Sequence, residues 1–313
     1  MSLDYHILWV DDKIDDFIDL GYDKRIRNYL KELFFNPFLV TCETAKEAKT
    51  LVVSSKYDLI LSDYNIDTEK GDEFIQFVRG NNIKTEILFY SAQHEIPKLD
   101  IDRISFINLN SSTAEGYTNL YNKTTTLIDL TIEKLQELTT IRGLVTGETS
   151  MLDKTMEDII EQYFVVNETP DRTKLFNKII DGIELSTKAS LTSSELCNKK
   201  CTVKIREKNI GEIIHTPLFE SSRKARSINK IISIEKIAIE FEKNFYEDYL
   251  DKIIKTRNNL AHSFSEKRGG IEVLITKNPE GEIFYDTDKF SEIRRNILKY
   301  KQILEIILNQ ISG

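Results

Sequence analysis

The stretch Tyr57–Asp67, with the sequence YDLILSDYNID, decides the fold of the first half of the chain. Residues Asp58–Ser62 form a short, continuous run that is apolar enough for a strand buried on both faces, and Asp63 ends this run. Buried parallel strands have this pattern, whereas strands with one exposed face alternate. Because ligand chemistry collects at the carboxyl ends of strands in an open α/β sheet, Asp63 is predicted to present its carboxylate there.

A second apolar strand, Ile7–Asp12 (ILWVDD), also ends in acidic residues. If the two strands are parallel neighbours, Asp11, Asp12 and Asp63 lie in one small volume. Three close carboxylates need a cation, or one of them must bind a proton as its pKa rises. A Mg²⁺ ion, with water and phosphate oxygens completing its coordination, meets this need.

This pattern resembles the receiver domain of response regulators, over residues 1–141. Asp11 and Asp12 match the acidic pair after the first strand, and Asp63 matches the phosphoacceptor after the third. Ser91, which follows the apolar strand Glu86–Tyr90 (EILFY), matches the hydroxyl residue after the fourth strand.

The resemblance implies a role for each matched residue. Asp63 attacks a phosphoryl donor, a histidine kinase or a small phosphodonor, as a carboxylate nucleophile. A Mg²⁺ cofactor neutralises the transferred oxygens, and Ser91 swings towards the new phosphate. The metal ligands are Asp11, Asp12, Asp63 and the backbone carbonyl of Asn65.

One residue of the receiver pattern is missing, the lysine at the end of the fifth strand. That strand is either Arg103–Leu109 (RISFINL) or Gly116–Tyr121 (GYTNLY). The first alternative puts Asn108 or Asn110 at the position of the lysine, and the second puts Asn119 there. An amide donates a hydrogen bond but brings no charge, so the readout of phosphorylation is predicted to be weakened or altered.

Length and charge indicate two domains of different character. A chain of 313 residues is long for one core and sufficient for two. Residues 1–150 carry 16 Lys and Arg against 25 Asp and Glu, whereas residues 151–313 carry 27 against 26, so the acidic half is the one with the carboxylate site. Three cysteines, no secretory signal and no run of roughly 20 apolar residues predict a cytoplasmic protein without membrane contact.

Strand and helix patterns alternate through residues 1–141, which predicts a doubly wound, parallel five-stranded sheet of the flavodoxin-like α/β class. The pattern then runs on almost continuously into residues 142–313, predicted to be a mainly α-helical bundle with a β-hairpin. Helices of the first domain are predicted at Phe17–Phe34, Thr44–Val53, Gly71–Arg79 and Thr124–Leu138, with the second strand at Phe38–Cys42.

The second domain is predicted to contain long helices. One of them, Ser233–Ala261, is continuous unless its aromatic cluster at Phe241–Tyr249 hides a turn. The hairpin pairs Ile271–Thr276 with Glu282–Tyr285, and Cys201–Ile205 is a strand-like patch. The helices are Met151–Phe164, Asp171–Ser186, Ser193–Lys199, Ser233–Ala261 (the one with the cluster) and Thr287–Ile311.

Residues Lys255–His262 (KTRNNLAH) hold a second candidate site. At about 100° per residue, Asn258 and His262 lie on one helix face, while Arg257 points about 140° from His262. A kink, or two helices meeting antiparallel across a dimer axis, is needed to direct Arg257 and His262 at one atom. Alternatively, these side chains face solvent or cap the helix end.

The RNxxxH pattern resembles the motif of HEPN domains, small helical bundles that often dimerise and whose active members are metal-independent endoribonucleases. The resemblance implies that Arg257 binds the scissile phosphate and that Asn258 positions a phosphate oxygen or orients His262. His262 acts as general base or acid on the 2′-hydroxyl and the leaving oxygen. Two basic segments, residues 199–200 and 223–226, offer contacts to an RNA backbone.

Three hypotheses follow. The first is a two-component response regulator whose phosphorylated receiver controls a HEPN-like output acting on RNA as a homodimer. The second is a non-enzymatic signalling protein whose helical domain docks a partner protein, with Arg257 and His262 structural. The third is a phosphate-insensitive receiver that serves as a dimerisation scaffold. DNA is a disfavoured partner, because no basic recognition helix is present.

Overall fold

The chain divides into two compact units, Met1–Ile141 and Arg142–Gly313. The predicted helix Ser193–Lys199 and the strand-like patch Cys201–Ile205 lie outside the described residues. None of the helices described is long and apolar enough to cross a membrane. The computed structural model describes residues 3–66, 69–92, 102–109, 114–135, 138–165, 169–191, 208–268, 271–279 and 281–312.

The first unit is built on one sheet of five parallel strands in the order β2-β1-β3-β4-β5. This topology confirms the predicted doubly wound sheet. The fifth strand ends at Asn108, so the first of the two alternatives is observed, whereas residues 116–121 lie in a helix. The strands are β1 (Asp4–Val10), β2 (Asn36–Cys42), β3 (Leu59–Asp63), β4 (Glu86–Ser91) and β5 (Ile104–Asn108).

The apolar runs are buried as their pattern requires. Every residue of β4 and all but the last of β3 are buried. Phe89 stacks on Phe106 with 5.8 Å between ring centroids and meets Tyr64 edge-on at 6.2 Å. A Cβ at Gly71 would stand 2.7 Å from Tyr64 Cδ2, so glycine is required where the next helix begins against this cluster.

The helices of the first unit are α1 (Ile14–Asp19), α2 (Tyr22–Glu32), α3 (Ala45–Ser54), α4 (Gly71–Gly80) and α5 (Ala114–Leu135). The single helix predicted over Phe17–Phe34 is wrong, because Gly21 adopts a φ of 74° and separates α1 from α2. Helix α3 is capped by Thr44, whose Oγ1 accepts a hydrogen bond from Glu47 N at 3.3 Å.

The second unit is mainly helical. Its helices are α6 (Leu138–Val165, which begins just before the unit boundary), α7 (Pro170–Leu191), α8 (Ile210–Ile214), α9 (Ser221–Ile234), α10 (Phe245–Tyr249), a π-helical turn (Leu250–Ile254), α11 (Lys255–Ala261) and α12 (Thr287–Ser312).

The helix predicted over Ser233–Ala261 is interrupted, so the condition attached to that prediction, a turn hidden at the aromatic cluster, is met. Helix α9 ends at Ile234, Lys236 has a φ of 52°, and Asn244 caps the new start at α10. The break lets Phe245 pack edge-on against Tyr300 of α12, with 5.7 Å between centroids. Burial of this aromatic ring therefore overrides the local helical pattern.

The predicted hairpin is confirmed as the antiparallel pair β7 (Ile271–Asn278) and β8 (Gly281–Tyr285). A further strand, β6 (Phe264–Arg268), pairs antiparallel with β7 and was not predicted. Its sequence FSEKR is largely exposed and lacks apolar alternation, so the sequence pattern contains no signal for it.

Candidate phosphoacceptor site

Three carboxylates meet at the carboxyl edge of the first unit's sheet. Strands β1 and β3 are parallel neighbours with Val10 opposite Ser62, which brings the residues that follow them together. One oxygen each of Asp11, Asp12 and Asp63 lies within 4.8 Å of the others. Asp11 is buried, Asp63 is half-buried and Asp12 is exposed, so the cluster opens to solvent on one side.

The electrostatics of this cluster suit a divalent cation. Burial, reinforced by the charge of Asp11, raises the pKa of Asp63 to about 6, although the Asn65 backbone N–H donates to Asp63 Oδ1 at 3.3 Å. Burial also raises the pKa of Asp11. Hard carboxylate oxygens that repel one another in a half-buried site are ligands that Mg²⁺ prefers. The residues present therefore fit this ion.

The raised pKa of Asp63 predicts a pH-dependent stability without divalent cations. The carboxyl contributes stability below its unfolded pKa of 3.8, and this contribution is lost as the pH rises through about 6. We expect Asp63→Asn to raise the melting temperature at about pH 8, and to do so much less at about pH 4, in thermal unfolding with a chelator. Asp19→Asn, at an exposed acid, is the control. A pH-independent difference between Asp63→Asn and wild type would contradict the shift.

Two buried aromatic residues orient the Asp11 carboxylate, Tyr90 directly and Trp9 through Tyr90. Trp9 Nε1 donates a hydrogen bond to Tyr90 Oη at 2.8 Å, and the Tyr90 hydroxyl donates to Asp11 Oδ2. Asp11 Oδ1 accepts from Lys13 N at 2.7 Å. Both oxygens of Asp11 are thus oriented. Sequence reasoning missed this pair, and the available signal was a Trp and a Tyr within buried strands, where their polar tips need partners.

Removal of this support is expected to weaken the cation site. Tyr90→Phe keeps the ring but deletes the donor to Asp11, and loss of a group that orients a metal ligand costs roughly 10- to 100-fold in affinity. Calorimetric Mg²⁺ titration measures the change, and Trp9, the only tryptophan of the chain, gives a fluorescence readout. Tyr117→Phe is the matched control, because the Tyr117 ring packs on Phe17 nearby. Unchanged Mg²⁺ affinity in Tyr90→Phe would refute the orienting role.

Ser91 and Asn65 complete the predicted set. Ser91 is buried at the end of β4, and Asn65 Nδ2 lies 3.5 Å from Ser91 Oγ. Asn108 lies opposite Ser91 in the register of β4 and β5, at the strand end where receivers carry a lysine. Asn119 is exposed on α5 and not on a strand, and Asn110 lies outside the described residues.

The strand order 2-1-3-4-5 is the flavodoxin-like order, which places ligand sites at the carboxyl ends of β1 and β3. The acidic cluster lies at those ends. The first unit has the receiver fold. The three carboxylates that the sequence predicts as metal ligands, Asp11, Asp12 and Asp63, lie together at this edge.

Comparisons with known proteins concern the receiver unit. No family model and no curated protein matches the chain. The receiver domain of the Francisella response regulator 1452 is 19% identical, with 41% of this chain and 99% of that chain covered and a TM-score of 0.30. The response regulator TrrA from Thermotoga maritima, solved with Mg²⁺ and BeF, is 20% identical over 39% of this chain and 98% of that chain, with a TM-score of 0.30. A signal receiver domain of an HD domain-containing protein from Pseudomonas fluorescens Pf-5 is 14% identical over 42% and 98%, with a TM-score of 0.32.

In the second candidate site, the guanidinium of Arg257 contacts other side chains of the same unit. Arg257 is half-buried, donates from Nη1 to Ser221 Oγ at 3.3 Å, and lies 3.9 Å from Asp153 Oδ2. The Ser221 hydroxyl also donates to Asp153. Arg257 Nη2 reaches Asn258 Oδ1 at 3.5 Å. Arg257 therefore links α11 to α6 and α9.

His262 and Asn258 are exposed. His262 caps the C-terminus of α11, and its backbone N–H donates to Asn259 O at 3.1 Å. Within the part of the chain that the structure describes, its imidazole has no hydrogen-bond or ion-pair partner. Arg142 Nε binds the Leu260 carbonyl at 2.9 Å and so holds this helix end in place.

Proposed function

We propose that the chain is a two-component response regulator in which Asp63 accepts a phosphoryl group from a histidine kinase or a small phosphodonor. The observation that carries the proposal is the meeting of Asp11, Asp12 and Asp63 within 4.8 Å. A carboxyl with a pKa of about 6 is mostly ionised at neutral pH and serves as a nucleophile.

Each residue of the site has its own role in phosphoryl transfer. Asp63 attacks the phosphorus, the bond from phosphorus to the donor's histidine nitrogen or carboxylate oxygen breaks, and the imidazole or carboxylate leaves. Tyr90 and the Lys13 N–H keep Asp11 oriented during this step. Asp11, Asp12, Asp63 and the Asn65 carbonyl would hold Mg²⁺, which would supply positive charge to neutralise the phosphoryl oxygens. The Ser91 hydroxyl turns to donate to the phosphate. Because Asn108 brings no positive charge to this edge, the phosphorylated state lacks the cation that the receiver lysine would supply there, and hydrogen bonds and the metal ion would contribute more to it.

The output is assigned to the second unit. Residues 142–313 are proposed to act as a HEPN-like domain on RNA, as a cytoplasmic homodimer, with Arg257 on the scissile phosphate and His262 as acid or base. Asn258 would position a phosphate oxygen. The exposure of Asn258 and His262 supports this assignment, since RNA can reach both side chains.

A second candidate function rests on the partners of Arg257. Its contacts with Asp153 and Ser221 are those of a structural link between helices. In this alternative the second unit is non-enzymatic and docks a partner protein under control of the receiver.

The decisive experiment measures RNA cleavage by the full chain with and without acetyl phosphate plus Mg²⁺. We expect the phosphodonor to change the cleavage rate of the wild type and to leave that of Asp63→Ala unchanged. Equal responses of the two proteins would refute control by Asp63. Absence of cleavage under all conditions, together with intact Asp63 phosphorylation, would favour partner docking.

A further inference from the structure

The second unit contains a cavity of about 360 Å³ between α7, α9 and the start of α10. Its floor is formed by Leu175, Ile179 and Phe219, all of which are buried. Ligand pockets for small molecules have about this size and combine an apolar lining with a few polar groups. None of the proposed receiver or RNxxxH residues lines the cavity.

The rim of this cavity is strongly basic. Lys178, Arg223, Arg226 and Lys230 line it, and among the residues that the structure describes Glu247 is the only carboxylate in the lining. The whole chain has a net charge of −8, so this positive surface is a local departure from the protein average. Cations gathered around a concave apolar floor attract an anion that also has an apolar part.

Two of the guanidinium groups are positioned by neighbours. Arg226 Nη2 donates to Tyr246 Oη at 2.8 Å, and its guanidinium carbon lies 4.7 Å from the centroid of the Tyr246 ring. A Cβ at Gly182 would lie 3.3 Å from Arg223 Nη1, so the glycine leaves room for this side chain to lie across α7. Positioned guanidinium forks match the oxygens of a phosphate better than flexible cations do.

We propose that this cavity binds an organic phosphate, a small molecule with a flat ring system and a phosphate group. The ring lies over Leu175, Ile179 and Phe219, and the phosphate is bound by Arg226 and Lys230 at the rim. Asn229 and Asn244 also line the cavity. Their Oδ1 atoms accept backbone N–H bonds from Tyr246 and Glu247, so their Nδ2 groups are the donors offered to polar atoms of the ring. The cavity contains none of the proposed phosphoacceptor or RNxxxH residues, but it shares Arg223 and Arg226 with the basic segment 223–226 that is predicted to contact an RNA backbone.

Calorimetric titration of the full chain tests the proposal with two probes, adenosine 5′-monophosphate and 1-naphthyl phosphate. Their neutral counterparts, adenosine and 1-naphthol, show how much of the affinity depends on the phosphate. We expect single-site binding of at least one phosphate probe, much weaker binding of its neutral counterpart, and an affinity that falls as salt is added.

Charge-reversal variants locate the site. The double variant Arg226→Glu with Lys230→Glu is expected to lose affinity by about tenfold or more, and Arg226→Gln is expected to lose less. Both positions are exposed, so the fold is preserved. Lys267→Glu makes the same kind of change at an exposed lysine outside the cavity and should bind as the wild type does.

Two results would overturn the proposal. One is unchanged affinity of the phosphate probe for the double variant, which would place binding elsewhere. The other is the absence of binding of both phosphate probes at millimolar concentration. Neither result bears on phosphorylation of Asp63, which is measured separately.

Discussion

The full chain carrying Asp63→Asn will take up no phosphoryl group from acetyl phosphate, whereas the wild type will take up one when Mg²⁺ is present. The amide of asparagine is not a nucleophile, and it also removes one of the three carboxylates within 4.8 Å of one another. Both effects act in the same direction, so complete loss is expected. Intact-mass spectrometry of the protein, quenched at low pH, measures the incorporation directly.

Asp19→Asn is the matched control for this loss, because Asp19 is exposed at the end of α1 and is not part of the acidic cluster. It should incorporate phosphate as the wild type does, and a chelator should abolish incorporation in both proteins. Phosphorylation of Asp63→Asn at the wild-type rate would show that another residue is the acceptor. Incorporation that survives the chelator would remove the metal ion from the proposed mechanism.

The second large effect is expected at His262. If the second unit cleaves RNA, His262→Ala removes a general acid or base and should slow cleavage by roughly 10²- to 10⁴-fold. Cleavage by the wild type should persist in a chelator, since the proposed mechanism needs no metal ion. Gel analysis of a labelled RNA substrate measures both rates. His215→Ala is the control, because His215 is another exposed histidine of the same unit, 3.5 Å from Glu157.

Variants around Arg257 separate catalysis from structure. Arg257→Lys keeps the charge but loses the fork that binds phosphate, so cleavage should fall while the fold is retained. Asp153→Asn removes the carboxylate that competes with RNA for Arg257, and RNA affinity should rise. Cleavage unaffected by His262→Ala, combined with a lower melting temperature for Arg257→Ala, would show that these residues are structural.

The fold of the receiver unit was readable from sequence because its signals are local. The runs before Asp11, Asp63 and Ser91 are continuous and apolar, and such strands are buried on both faces of a parallel sheet. Their order along the chain, with helices between them, leaves few topologies open. The proximity of the three acids then follows from the adjacency of β1 and β3.

Other features depended on contacts between distant segments. The hydrogen bonds from Trp9 to Tyr90 and from Tyr90 to Asp11 join residues that are 79 or more positions apart, and no spacing pattern along the chain predicts them. The break after Ile234 exists because Phe245 packs against Tyr300, and β6 exists because β7 offers it a partner. A local sequence pattern predicts neither kind of contact.

The sequence by itself determined the parallel sheet, the acids at its edge and the RNxxxH pattern, since each depends on residues close together in the chain. Only the tertiary structure decided that Asn108 ends the fifth strand, that Arg257 is bound by Asp153 and Ser221, and that four cations surround an apolar cavity. The physical reason is the same in each case. Hydrogen bonds, ion pairs and cavities form between secondary-structure elements. Which residues take part in them is therefore fixed only when those elements pack together.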